Sequence, residues 1–407
     1  MAVITMEQES KDQRSFYAPQ FQIKIENTGL PLNVLRDVMQ LTYKDNINEI
    51  DSFEVTVNNW DAERREFKYV GAEVPRELEK GNAGSRTDQI FDPCNKVVDI
   101  LMGYLDNKLT LMMRGNFTTL EPNFPAAGAS TLSVRGLNVL HELRRKQYTA
   151  SWAGKTDSQI VKDIASRKDK QTGRKRFPIP IDIDTNEAPN EPPLKFVSQQ
   201  NQYDIDFLFN RARQRGYVVC ISETDPRTLY FGSSTGPTPD SEQDMFELRY
   251  PGSLIEFKPT LTTANQVRSV TVRGWNREKK EPINETVTLD DPKLNRNTDL
   301  YDLLKKCDPR EEQVVNEPYF TKKEARARAI VLLKERQKEM VKCTGSTVGL
   351  PELRAGRRVV IKGVGPVFSG TYFITETTHT IGGNGYTTSF SARREDDKKD
   401  KGKEKGK

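Results

Sequence analysis

The chain has 407 residues, 63 basic and 58 acidic side chains, two histidines, four cysteines and a net charge of +5. That length holds about two to four domains, each large enough for its own core, and 35% hydrophobic residues support folding although a mean hydropathy of −0.72 is polar. The two charge signs are mixed along the chain, so no nucleic-acid partner is called for. No apolar run approaches the roughly 18 residues of a membrane span, and Met1 to Glu7 lack the basic start and apolar core of a secretory leader. Folding in the cytoplasm without membrane insertion is the expectation. Cys94, Cys220, Cys307 and Cys343 lie far apart with no Cys-x-x-Cys spacing and are expected as reduced thiols.

Residues 1–19 read as a polar arm. From Phe21 to Ile25, and again from Phe53 to Val57, apolar and polar residues alternate with the period of half-buried strands. The charged stretch from Ala62 to Pro93 reads as a long excursion. Strands near Val97, Leu109 and Leu132 complete a first small β-barrel over 20–145, which finishes at Val134-Arg135-Gly136-Leu137-Asn138.

A compact α+β module is expected over 146–244. Thr156-Asp157-Ser158-Gln159 opens a helix with Ile160, Ile164 and Ala165 on one face. A second helix runs from about Gln202 to Arg215 and ends at Gly216 as its C′ residue. Tyr217 to Ile221 and Leu229 to Gly232 form a strand pair.

Residues 245–394 read as a second barrel. Its strands begin at Phe246, Leu254 and Val267, and Val272-Arg273-Gly274-Trp275-Asn276 echoes the end of the first. Polar residues from Glu281 to Glu317 interrupt it. A helical insertion near 319–341 opens at the capping box Thr321-Lys322-Lys323-Glu324. The closing hairpin turns at Gly382-Gly383-Asn384-Gly385 between segments rich in β-branched and aromatic residues. Residues 395–407 carry no apolar side chain and read as a disordered charged tail.

The closing hairpin has a faint earlier copy. Lys96 to Ile100 before Gly103 parallels Val359 to Ile361 before Gly363, and Arg114 to Thr119 parallels Ser369 to Phe373. The repeat positions are Gly115, Phe117 and Gly136 in one copy, Gly274 and Trp275 in the echo, and Gly370 and Tyr372 in the other. Two like barrels per chain would let a trimer present a pseudo-sixfold ring.

Catalytic signals are sparse. His141 lacks the second histidine of a zinc-protease helix, and His379 sits among threonines in a strand, as a structural residue would. Asp182, Asp184 and Glu187 occupy a Pro-rich segment expected to be solvated, and Asp204 and Asp206 are expected on a water-facing helix surface. The basic stretches Lys168 to Arg176 and Lys322 to Arg328 lack interleaved aromatics. Trp60, Trp152 and Trp275 suit either core packing or a subunit interface. No catalytic, metal-binding or cofactor-binding residue is assigned.

The run Leu353-Arg354-Ala355-Gly356, with Gly363-Val364-Gly365, Phe368-Ser369-Gly370-Thr371-Tyr372, His379 and Gly385 to Phe390, resembles the late control gene D proteins of phages. These are baseplate hubs of contractile tails and of related extracellular injection systems. Val270 to Asn276 resembles that family's mid-chain strand, and Phe207 to Arg213 with Gly216-Tyr217 its inner helix. The resemblance implies a non-enzymatic homotrimer whose six barrels meet the inner tube ring. A separate spike protein and other baseplate components would be its further partners, because the chain shows no needle of the VgrG type. The competing readings are a glycan-binding or cell-wall-hydrolysing tail component acting through the middle module, and a nucleic-acid binder using the basic stretches.

Overall fold

The computed structural model describes residues 3–5, 16, 18–71, 89–93, 96–105, 107–223, 227–236, 245–291, 294, 303, 304, 306, 310–317 and 319–395. The fold is α+β and dominated by strands. Its first part runs β1 (Pro19–Ile25), the short helix α1 (Leu32–Asp37), β2 (Val38–Asn46), β3 (Ser52–Asn58), β4 (Val97–Tyr104), β5 (Thr110–Asn123) and β6 (Thr131–Asn138). A middle module follows with β7 (Gln147–Trp152), α2 (Asp157–Ser166), β8 (Ile181–Ile183), β9 (Val197–Tyr203), α3 (Asp204–Arg215), β10 (Tyr217–Ser222) and β11 (Thr228–Ser233). The last part begins with β12 (Met245–Arg249) and β13 (Leu254–Leu261). Inserted there are β14 (Val267–Asn276), β15 (Glu281–Thr288), β16 (Arg310–Val314) and α4 (Lys322–Lys338). The chain closes with β17 (Val341–Val348), β18 (Arg358–Lys362), β19 (Gly370–Gly382) and β20 (Gly385–Arg394).

Local chemistry accounts for the elements. Phe53, Val55 and Val57 of β3 are buried and their neighbours half-exposed, as a strand packed on one side requires. Thr156 Oγ1 accepts from Gln159 N at 3.3 Å while Gln159 Oε1 accepts from Thr156 N at 3.1 Å, closing the capping box of α2. Gly216, at φ +69°, supplies the left-handed residue that ends α3. At α4, Thr321 accepts from Glu324 N at 3.2 Å. The Glu324 carboxylate turns instead to Phe320 N (3.1 Å) and Lys195 N (2.9 Å), tying the helix start to the middle module.

Fourteen strands form one continuous sheet with two like halves. In the first half the order is β1-β4-β5-β6-β3-β2, and in the second β12-β18-β19-β20-β17-β13. Numbered within each half, both orders are first, fourth, fifth, sixth, third, second. The irregularities repeat as well. The β5–β6 ladder bulges at Thr118, between the pairs Phe117–Gly136 and Thr119–Arg135. The β19–β20 ladder bulges at Thr375, between Ile374–Ala392 and Glu376–Ser391. In both, the bulged threonine donates its hydroxyl across the ladder, Thr118 to Arg135 O at 3.3 Å and Thr375 to Ser391 O at 3.1 Å. The β2–β3 ladder bulges at Met39 and the β13–β17 ladder at Ile255, each an exposed large apolar residue (54% and 57%). The two halves thus share both their strand order and the positions of their bulges.

The halves differ in two ways. β1 runs antiparallel to β4, whereas β12 runs parallel to β18. Their excursions also leave from different points, after β3 in the first half and after β13 in the second. Each half has its own core, the first around Phe53, Phe117 and Val134, the second around Val359, Tyr372 and Phe390.

Several expectations change. No ring of hydrogen bonds closes around either half among the described residues, so in place of the two expected barrels there are two halves of one sheet. Within the polar stretch 281–317, β15 and β16 flank β14 in a separate sheet, with Ile283 and Val287 facing its core and polar neighbours facing out. β14 therefore lies outside the second half, and α4 covers its sheet. Within the expected arm, Val3–Thr5 pairs in parallel with β12, and Phe16 packs edge-on against Tyr104 at 5.2 Å. Glu395 is anchored by Ser234 Oγ (2.8 Å) and Lys338 Nζ (3.3 Å), and the rest of the expected tail lies outside the described residues, as do Cys94 and Cys307. Cys220 and Cys343 are buried, and neither forms a disulfide among the described residues.

A Cβ on Gly115 would stand 2.0 Å from Leu137 O, a backbone atom that cannot move aside without opening the β5–β6 ladder. Gly115→Ala should therefore lower stability by about 3 kcal/mol in urea titration, whereas Gly383→Ala, which meets nothing within 4 Å, should leave the midpoint unchanged.

Candidate functional site: the joint between the two halves

The two halves meet edge to edge. β19 is long enough to overrun β18, and its projecting end, Glu376 to Ile381, pairs antiparallel with Asn46 to Leu41 of β2. Beneath this joint lies a buried polar network. Arg354 Nε donates to Asp45 Oδ2 at 2.7 Å, its Nη2 donates to Met112 O at 2.9 Å and to the Tyr43 hydroxyl, and its guanidinium lies 4.7 Å from the Tyr43 ring centre. Ala355 N (3.2 Å) and the Thr377 hydroxyl also donate to Asp45. Asp51 accepts from Asn46 N (3.3 Å) and Asn138 Nδ2 (2.8 Å).

His379 belongs to the same joint and is fully buried. Its Nε2 lies 3.0 Å from Leu353 O, and its Nδ1 lies 3.0 Å from both the Tyr386 and Thr388 hydroxyls. Burial pushes its imidazole down to about 4, because a charged ring would lose its hydration there. Burial, then the Asp45 carboxylate, pushes Asp51 well above the usual carboxylate range. Arg354 keeps its charge: burial opposes it, but Tyr43 and Asp45 outweigh that and raise it further.

The joint also seats the middle module. Ile47 N donates to Thr375 O, and Ile47 O accepts from Val219 N of β10, both at 3.1 Å. Phe373 packs with Ile47, Val218, Cys220 and Tyr230.

Matching the ladders at their bulges places Gly115 where Tyr372 stands, Phe117 where Ile374 stands, and Gly136 where Ala392 stands, while Gly370 corresponds to Met113. Phe117 and Tyr372 are each buried in their own half. Gly274 and Trp275 lie on β14, outside both repeats. Trp152 is core, donating to Asp163 Oδ2 at 2.6 Å and stacking on Phe207, while Trp275 is 51% exposed.

Two of the middle-module acids, Asp184 and Asp204, depart from the solvated expectation, whereas Asp182 and Glu187 are exposed. Asp184 is fully buried and accepts from the backbone N–H of Asn186 (2.9 Å), Ser233 (3.1 Å) and Glu187 (3.2 Å). Asp204 is buried in an ion pair with Arg176, which stacks 3.6 Å from the Tyr148 ring centre. Asp182 and His141 are exposed. Among the described residues no His, Cys, Asp and Glu side chains gather as a metal site, and no helix is long and apolar enough to cross a membrane.

The overall fold is that of phage tail proteins. The structure matches a tail protein from Neisseria meningitidis MC58 with a TM-score of 0.61 at 12% identity, covering 93% of this chain and 97% of that one. It matches the 43 kDa tail protein of prophage MuSo2 from Shewanella oneidensis with a TM-score of 0.61 at 12% identity, over 92% and 98%. A chain of the half-lidded Francisella PdpA–VgrG complex is similar over 93% of this chain and 58% of that one, with a TM-score of 0.50 at 9% identity. No curated protein matches the sequence. The chain belongs to the family described as the Alg8 N-terminal domain, whose model matches residues 18–383.

Two consequences can be measured. Because the folded His379 holds its proton less tightly than the ordinary value of 6.5, its contribution is complete above about pH 6.5 and is lost as pH falls toward 4. Wild-type stability should drop by about 3 kcal/mol across that window, and His379→Gln should flatten this part of the profile in pH-dependent urea unfolding. Arg354→Met leaves Asp45 buried without its cation and should cost about 3–5 kcal/mol in the same assay.

Proposed function

We propose that this chain is a baseplate hub of the late control gene D type. Three copies form a ring of six like modules that joins a hexameric inner tube to a trimeric spike. The observation that carries the reading is the repeat of strand order, bulges and threonine cross-ladder bonds in the two halves. A duplicated unit resolves a mismatch between threefold and sixfold partners within one polypeptide. The tail-protein fold supports it.

In this reading the domains are the duplicated modules at 20–145 and 245–394 with the middle module at 146–244 between them. The protein folds in the cytoplasm and enters a phage tail or extracellular contractile particle with its tube, spike and other baseplate proteins. The role is structural, without cofactor, and the buried carboxylates Asp184 and Asp204 of the middle module are occupied by backbone N–H groups and by Arg176 rather than free for acid–base work. Met39 and Ile255, exposed at matching bulges, are the side chains best suited to meet a sixfold partner at equivalent points.

Light scattering should give three times the 46.4 kDa chain mass, alone or on addition of the tube protein. A monomer under both conditions would end this reading. The double variant Met39→Glu with Ile255→Glu should keep that mass while weakening binding to the tube ring roughly tenfold or more in sedimentation.

A further inference from the structure

The joint inside the chain shows how one module accepts the next, and each half leaves one participant of that joint unused. β2 of the first half fills the open edge of β19 in the second. The counterpart of β2 is β13, bonded on one side only, to β17, among the described residues. The counterpart of the β19 overhang is the end of β5, where Thr119 to Asn123 pair with β6 but no described strand pairs with their other edge.

We infer that β13 of one copy adds to the free end of β5 in the next, repeating the internal joint between chains and closing the ring; this rests on the hub reading above. The bulges fix the register. Thr378–Lys44 of the internal joint becomes Glu121–Thr260, and Thr377–Asp45, His379–Tyr43 and Ile381–Leu41 become Leu120–Leu261, Pro122–Pro259 and Phe124–Phe257.

The side chains fit that alignment. One face becomes apolar on both strands, Leu120, Pro122 and Phe124 against Leu261, Pro259 and Phe257. These residues are half-buried in the single chain apart from Phe124, which is 53% exposed. The other face sets exposed Glu121 diagonal to exposed Lys258, within reach for an ion pair. Neither proline can donate at the rung they share, so that rung adds no N–H bond and the seam is held by its flanks and by the apolar face. The same two prolines blunt both edges against indiscriminate strand pairing before assembly.

Disulfide geometry tests the register, because Cβ atoms must approach to about 4 Å. In the full-length trimer, Glu121→Cys with Thr260→Cys should give covalent dimers and trimers on mild oxidation, seen on a non-reducing gel. Neither single variant should do so, nor should the out-of-register pair Glu121→Cys with Glu256→Cys. A wild-type trimer whose facing pair does not link, or links no better than the out-of-register pair, overturns this interface and leaves the hub reading standing. A wild-type monomer, alone and with tube protein, removes both. As an independent check, Lys258→Glu should raise the trimer dissociation midpoint roughly tenfold at low salt, and adding Glu121→Lys should restore it. Indifference to both changes counts against the seam.

Discussion

The pairing of β2 with β19 is the constraint that the remaining architecture serves. Two half-sheets can share a ladder only if the polar groups trapped beneath it are satisfied, and here that burden falls on Asp45 and Arg354. The arginine reaches from the loop before β18 across to a carbonyl of β5, so one side chain touches both halves. Removing its charge would leave a buried carboxylate stranded, whereas the intact pair with its surrounding donors satisfies polar groups from both halves at once. The middle module depends on the same place, since Ile47 bonds β19 with one backbone group and β10 with the other.

Much of this was legible in the amino acids. Alternation marked β1 and β3, threonine N-caps marked α2 and α4, and Gly216 marked the end of α3, because each rests on chemistry within a few residues. β2 was not legible. Its period is broken by the bulge at Met39, and an inward aspartate at position 45 makes the strand read as polar. β15 was missed for a related reason: with only Ile283 and Val287 facing inward, a strand covered on one side carries a weak apolar signal. The likeness of the two halves was visible in outline but aligned on glycine turns, one or two residues away from the alignment that the threonine bulges impose.

Charged residues were the least legible class. A carboxylate in a Pro-rich stretch looks solvated when only its neighbours in sequence are known, yet Asp184 is held by three backbone N–H groups, one of them from β11. Arg176 closes a basic run that reads as a wet surface, and its partner Asp204 is 28 positions away. Burial and pairing at such distances are tertiary facts, and local charge pattern carries no trace of them. The arrangement at His379 belongs to the same class, since its partners come from the turn after β17 and from the neighbouring strand.

Head-to-tail contacts close into rings only when each step turns by a whole fraction of a circle; otherwise they wind into filaments. In an assembly where every second step lies inside the polypeptide, the internal joint is the protractor for the whole. Its rigidity, set by Arg354 and the groups around it, would then decide whether subunits count to three and stop or keep climbing.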